Sequence, residues 1–203
     1  SCAMNTITPR WEWRSFGKRF GPAEKRFAAL PPQGVQESDE SHLLSAGGGN
    51  VKVRAALMDI KALKRVNDDG LEQWIPVLKA EFPLAAADAA EVFEALRLPV
   101  PALPQAIATF EQFIEAFAPP GGAIRAVKVH KRRTRYTVGG CMAELSDVVA
   151  DGKPTRTIAV ESTDAQAVID AVRELGLGGY TNTAYQRGLE ALIDDTPARY
   201  AVI

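Results

Sequence analysis

Cysteine is scarce in this chain. Only Cys2 and Cys141 occur among 203 residues, with no Cys-x-x-Cys pair, which excludes a disulfide framework and a thiolate zinc site. Histidine is as sparse: His42 and His130 are the only two, in different strand-like segments and without metal-ligand spacing. Long apolar runs are missing too. The longest uncharged stretch, Leu98 to Phe110, is too short to span a bilayer and contains Pro99, Pro101 and Pro104. Net charge is almost nil, 24 basic against 25 acidic side chains, which excludes a sleeve that is basic all over and an acidic solvating tail. Ser1 to Ala3 precede Met4 and read as an expression remnant that takes Cys2 with it, leaving one native thiol; no signal-like segment follows. The expectation is a soluble protein of a reducing, cytoplasmic compartment.

What is present is enough for a core. At 46% hydrophobic and 24% charged, the chain suits one globular domain over 4–203, with a helical insertion at about 76–122. The ends read as β-rich and the middle as helical. Strand patterns run over 7–16, 40–46 and 51–66, the last bending near Ala55 to Met58 to make two strands. From Leu71 the period changes, and apolar residues at helical spacing mark helices over 85–96 and 104–117. Strands resume over 124–138, 141–149 and 156–161, with turns at Gly139-Gly140 and Asp151-Gly152. Asp164 is a suitable N-cap for a helix over 165–175, and a last helix covers about 183–193.

The polar faces of these strands carry the functional signal. Residues two apart on a strand share a face. Arg10, Glu12 and Arg14 therefore oppose Trp11 and Trp13; Lys52 and Arg54 oppose Val51 and Val53; Lys131, Arg133 and Arg135 line one side of a later strand. Asp59 with Lys61, Glu144 with Ser146, and Thr157 with Ala159 and Glu161 alternate in the same way. An open antiparallel sheet with one wet face would satisfy this alternation. Solvated strands usually mix Thr, Ser, Gln and Lys, however, whereas here separate strands repeat Arg and Lys. If the sheet closes into a barrel, those faces become a charged lumen. Cations at that density repel unless an anion sits among them, and a polyphosphate suits, because guanidinium groups pair with phosphate oxygens bidentately. The carboxylates would then hold a hard divalent cation, Mg2+ or Mn2+.

In order and spacing these elements resemble the CYTH superfamily of triphosphate tunnel enzymes, which includes thiamine triphosphatases, inorganic triphosphatases and a class of adenylyl cyclases. Arg10-x-Glu12-x-Arg14 sits where that family has ExExK, and Lys52-x-Arg54 with Lys61 matches its paired basic residues and following lysine. Lys131 to Tyr136 resembles the late basic strand, Ala143 to Asp147 the acidic strand, and Ala159-Val160-Glu161 the closing ExE, followed by a helix and a Leu-Gly-Leu step at Leu175 to Leu177. The resemblance covers most of 7–193 outside the helical insertion. It implies an α+β fold, with an antiparallel closed or strongly curled barrel of about eight strands and helices outside. It also implies phosphate binding by Arg10, Arg14, Lys52, Arg54, Lys61, Lys131, Arg133, Arg135 and Arg187, and Mg2+ or Mn2+ binding by Glu12, Glu144, Asp147 and Glu161. Arg10 and Ala159 replace the first glutamates of ExExK and ExE, so the phosphate half of the site is better kept than the metal half.

The expected function is binding of a triphosphate- or polyphosphate-containing ligand, with metal-dependent phosphoanhydride hydrolysis if the chain is an enzyme. The alternatives are a non-catalytic polyphosphate or nucleotide sensor and an interaction module with solvated charged faces. The remaining signals have simpler readings. Lys131 to Arg135 lies in a strand pattern, which favours a lumen over a nucleic-acid patch. Trp11, Trp13 and Trp74 read as packing anchors, Cys141 as a hairpin residue without an activating base, and Gly47 to Gly49 as a turn, since no Gly-Lys-Ser/Thr follows. The helices over 85–117 read as a barrel cover, with a homodimer surface as their other role.

Overall fold

The structure, a computed structural model, describes residues 8–197. Ser1 to Ala3, including Cys2, and Ile7 at the start of the first expected strand lie outside the described residues. The elements follow in the order β1 (Arg10–Gly17), α1 (Pro22–Ala28), β2 (Gly34–Leu44), β3 (Asn50–Arg54), β4 (Leu57–Val66), β5 (Glu72–Glu81), β6 (Leu84–Ala85) and α2 (Ala86–Ala95). Then come β7 (Ala106–Ile107), α3 (Phe110–Phe117), β8 (Arg125–Val138), β9 (Cys141–Ala150), β10 (Lys153–Ser162), α4 (Ala165–Glu174) and α5 (Tyr185–Asp194).

Eight strands close an antiparallel barrel in the order β1, β10, β9, β8, β2, β3, β4, β5, with β5 returning to β1. The fold class is therefore the α+β barrel that the alternation and the resemblance implied. The β8–β9 hairpin turns through Gly139 and Gly140, both at positive φ (56° and 77°), a conformation that glycine adopts without steric cost.

Three sequence expectations are corrected. The change to helix expected from Leu71 does not occur there, because Glu72 to Glu81 is the strand that closes the barrel against β1, pairing Glu72 with Glu12 and Trp74 with Arg10. Register shifts on the β4–β5 ladder, at Ile60/Lys61 and Leu63/Arg65, break the two-residue period that would have marked it. The helix expected from Pro104 begins only at Phe110, where the Thr109 side chain caps it by accepting from the Gln112 N–H; Ala106 and Ile107 instead pair with Ala85 and Leu84. Strand β2 starts at Gly34 rather than Glu40, held in register along its whole length by main-chain pairing to β8, from Gly34–Arg135 to Leu44–Arg125. Its first half is mostly exposed and polar, so no apolar alternation announces it.

Helices cover the barrel on two sides. On one, Trp11, Trp13, Ala143, Ile158 and Val160 meet Phe27 of α1 and Val168, Ala171 and Val172 of α4. On the other, Val51, Val53, Met58 and Ile60 meet Val92 and Phe93 of α2 and Phe113 of α3. A third cluster lies inside the barrel: Leu44, Val127, Val129, Val148 and Ala150 surround Tyr185 and Leu189 of α5. Helix α5 thus plugs one end. Gly188 permits this approach, since a Cβ there would fall 2.1 Å from the Phe16 ring on the inner face of β1. Among the described residues, no helix is long and apolar enough to cross a membrane.

Candidate functional site

The other end of the barrel interior is a charged cavity of about 370 Å³. Its wall carries Arg10, Glu12 and Arg14 from β1, Glu40 and His42 from β2, Lys52 from β3, Lys61 from β4, Lys131, Arg133 and Arg135 from β8, Glu144 from β9 and Glu161 from β10. The alternating period of each strand delivers these side chains inward while the residues between them build the outer apolar clusters. Trp74, Tyr185 and Gln186 are among the uncharged residues of the wall.

Arg14 is the hub of this cavity. It is only 5% exposed; its guanidinium donates to Glu12 at 3.0 Å, Glu144 at 3.1 Å and the Thr157 hydroxyl at 3.0 Å. Burial works against its charge, yet Glu12 and Glu144 beside it hold it protonated more firmly than a free guanidinium. Glu144 also meets Lys131 Nζ at 3.2 Å and accepts from the Ser146 hydroxyl at 2.5 Å. Burial would raise the Glu144 pKa, but Arg14 and Lys131 outweigh it and keep the carboxyl well below the usual range. Burial likewise opposes the Glu40 charge, and His42 and Lys52 (3.3 Å away) override it. Lys131 and Arg133 are both lowered, first by burial, which Glu144 only partly offsets.

The wall holds seven cationic side chains against four carboxylates, a formal excess of three positive charges. Arg133, Arg135 and Lys61 line it without a carboxylate partner among the described residues. The site offers anion-binding groups in a partly desolvated enclosure, where each is worth more than in water.

Ten of the thirteen residues expected at a site are gathered here: Arg10, Arg14, Lys52, Lys61, Lys131, Arg133, Arg135, Glu12, Glu144 and Glu161. Three are placed elsewhere. Arg54 is exposed at the end of β3 beside the β3–β4 turn. Asp147 lies three residues from Glu144, hence on the opposite face of β9, where it pairs with Arg156 at 3.4 Å. Arg187 lines a neighbouring cavity of about 670 Å³, donating to the Ser45 and Gly48 carbonyls and pairing with Glu190 at 2.6 Å. Lys61, Trp74 and Gln186 line both cavities and form the wall between them.

The sequence reading missed several lumen residues. Glu40 and His42 share a face of the strand expected over 40–46 but stand outside the repeated basic rows, and Glu72 falls where no strand was expected. Glu72 is 5% exposed and faces Glu12 across the β1–β5 pair; burial, then the Glu12 charge, raises its pKa to about 7. Tyr185 was readable only as part of a helix. Trp11 and Trp13 are packing anchors as expected, whereas Trp74 faces the lumen.

The carboxylates do not form a metal cage of their own: among the described residues, no group of three His, Cys, Asp or Glu side chains is placed to share an ion. Glu12 and Glu161 are direct cross-strand partners, which suits the smaller demand of Mg2+ held by one or two carboxylates together with phosphate oxygens. Glu161 is engaged by Arg10 at 3.3 Å, and its other cross-strand row holds Ala159, opposite Arg14 and Glu144.

No protein-family model and no curated protein matches the sequence. Solved structures do. The Hippeastrum protein HpAC1, described as a candidate adenylyl cyclase with a dominant triphosphatase activity, is similar over 94% of this chain and 98% of its own at a TM-score of 0.52 and 11% identity. The PH1012 protein of Pyrococcus horikoshii OT3 is similar over 86% of this chain and 97% of its own, with a TM-score of 0.49 and 16% identity. The first of these likenesses, the closed eight-stranded barrel and the order of elements agree: the chain shares the fold of HpAC1, the barrel architecture that the resemblance implied.

Proposed function

We propose that the barrel lumen binds a small linear anion carrying three or more phosphates and, with Mg2+ or Mn2+, hydrolyses its terminal phosphoanhydride. The observation that carries this reading is the surplus of cations in the enclosed cavity, with Arg133, Arg135 and Lys61 free of carboxylate partners among the described residues. A triphosphate brings about the charge needed to offset that surplus, and guanidinium groups match its oxygens in geometry. Arg10, Arg14, Lys52, Lys61, Lys131, Arg133 and Arg135 would hold the phosphates. Glu12 and Glu161 would meet a metal ion carried in on them, and the ion would neutralise charge on the phosphoryl oxygens. The activity of HpAC1 on triphosphate points the same way by analogy of fold.

A second reading, a sensor that binds without turnover, is favoured by two features: Arg10 occupies Glu161, and Ala159 leaves that row one carboxylate short. Isothermal titration with tripolyphosphate at near-physiological salt, with and without Mg2+, tests the binding; no binding in either condition overturns both readings. Phosphate release separates them. Turnover above background with Mg2+ or Mn2+ supports hydrolysis, and the double variant Arg10→Glu/Ala159→Glu should raise it. Background release from the wild type leaves the sensor.

A further inference from the structure

The barrel is closed, yet one of its strands outruns its neighbour. Strand β2 has 11 residues and β3 has 5, and the two pair only at Ser41–Val53 and His42–Lys52. Gly34 to Asp39 therefore have β8 on one side and, among the described residues, no strand on the other. In an antiparallel strand each residue turns its N–H and C=O to the same side, so alternate residues of this stretch offer both groups outward. Among the described residues, no main-chain bond from a loop reaches them either. The result is a free edge as long as an ordinary strand. Edges of that length are commonly blunted by lysine, proline or a bulge. Gly34 to Asp39 contain no lysine and no proline, and their register on β8 is unbroken.

Charge and shape define what fits there. A strand added at this edge lies one strand spacing from β2 and two from β8, so its side chains meet those of β2. On the outer face these are Val35, Glu37 and Asp39. His130 and Arg132 hold Asp39 and Glu37 from the β8 side, at 2.8 and 3.4 Å, yet the two carboxylate side chains remain 90% and 56% exposed. Val35 is 52% exposed, and no cation occurs between Gly34 and Glu40. A second copy of this chain would bring its own Glu37 and Asp39 to the seam, where like charges opposite one another destabilise a strand pair. At its Asp39 end the edge opens onto a groove of about 840 Å³ between the β3–β4 turn and α3, lined by Val53, Ala56, Phe82 and Phe110. Among the charged residues of that groove, Asp39, Glu40, Glu111 and Asp151 outnumber Lys128 and His130.

We propose that Gly34 to Asp39 form a docking edge for an extended basic segment of another protein, which adds to β2 as a further strand. Its basic residues alternate on the face shared with Glu37 and Asp39, and an apolar side chain at its end enters the groove. Main-chain bonds give such a complex its affinity, and the alternate side chains its specificity. The two carboxylates act twice, opposing self-association and selecting the basic partner. The proposal stands independently of the polyphosphate reading.

The test uses the full chain and a synthetic peptide of alternating lysine and valine, blocked at both ends and about as long as the edge. Two control peptides replace lysine by serine, or carry methyl groups on the main-chain nitrogens. The lysine–valine peptide is expected to slow hydrogen exchange of the outward amides within Gly34 to Asp39 at least tenfold; no slowing there overturns the proposal. Each control peptide should bind at least tenfold more weakly. A smaller loss with the methylated peptide overturns main-chain pairing, and a smaller loss with the serine peptide overturns selection by charge. The double variant Glu37→Lys/Asp39→Lys should bind the lysine–valine peptide at least tenfold more weakly, and a smaller loss likewise counts against the edge. If that variant fails to fold, the peptide series on the wild type decides alone. Sedimentation without peptide should give a monomer; a dimer whose Gly34 to Asp39 amides are already protected would show that a second copy covers the edge, and would overturn the proposal.

Discussion

The two halves of the barrel interior are built from the same strands and yet are opposites. Along β8 the inward row runs Val127, Val129, then Lys131, Arg133, Arg135; along β9 it runs Ala150, Val148, then Ser146, Glu144; β1 passes from Phe16 to Arg14, Glu12 and Arg10. Each row changes from apolar to charged at the level of Tyr185. The half that a helix fills behaves as an ordinary core, stabilised by removal of apolar surface from water. The other half keeps a surplus of like charge in an enclosure, a cost that folding alone does not recover. Such an arrangement makes physical sense when a counter-charge arrives from outside. The contrast teaches that inward direction does not decide polarity in this barrel. What lies opposite decides it.

The contrast can be broken most severely at Arg14. Arg14→Met leaves Glu12 and Glu144 without their shared cation, and is expected to destabilise the fold by about 3–5 kcal/mol, measured by denaturant unfolding. Adding Glu12→Gln should return part of that loss; if it returns none, the charged half is not held by this pairing. Next comes Leu189→Ala in the plug, for which loss of a fully buried leucine predicts about 2–5 kcal/mol. Because the two halves are separate, this variant should bind tripolyphosphate within threefold of wild type at a temperature where both are folded. A large loss of affinity would show that the plug and the clamp are one unit.

The smallest effect concerns Glu72, whose pKa is about 7 when folded against an ordinary value of 4.5. A carboxyl raised by folding contributes stability that is complete below about 4.5 and disappears as pH rises through 7. Stability should thus decline across that window by at most about 3 kcal/mol, and Glu72→Gln should flatten the decline. An unchanged slope in the variant would show that another group governs it.

Much of this was legible in the sequence, and the reasons differ by region. Period-two alternation in β1, β3, β8 and β10 placed charged and apolar faces correctly, because nothing interrupts it there. Strand β5 was unreadable: its ladder with β4 shifts register twice, so the alternation that names a strand is locally lost. Asp147 shows a counting limit, since an odd separation from Glu144 sends it to the opposite face. Tyr185 and His42 could not have been joined from the sequence at all. One belongs to a helix and the other to a strand, and only the insertion of α5 into the barrel, allowed by Gly188, stacks them.

The closure of the barrel through β1 sets the order in which the site is assembled. This strand precedes the other barrel strands in the chain, but its partners are β5 and the last strand, β10. As the chain is synthesised, β1 has an unsatisfied edge until β10 emerges, and such long-range pairing is slow to form. Arg14 acquires Glu144 and Thr157 only in those final steps. A fragment ending before β9 would keep Glu12 and Glu40 but expose Arg10, Arg14 and Lys131 without Glu161 and Glu144, the carboxylates that β9 and β10 bring to them. Such an intermediate would be stickier toward polyanions, and less selective among them, than the finished protein.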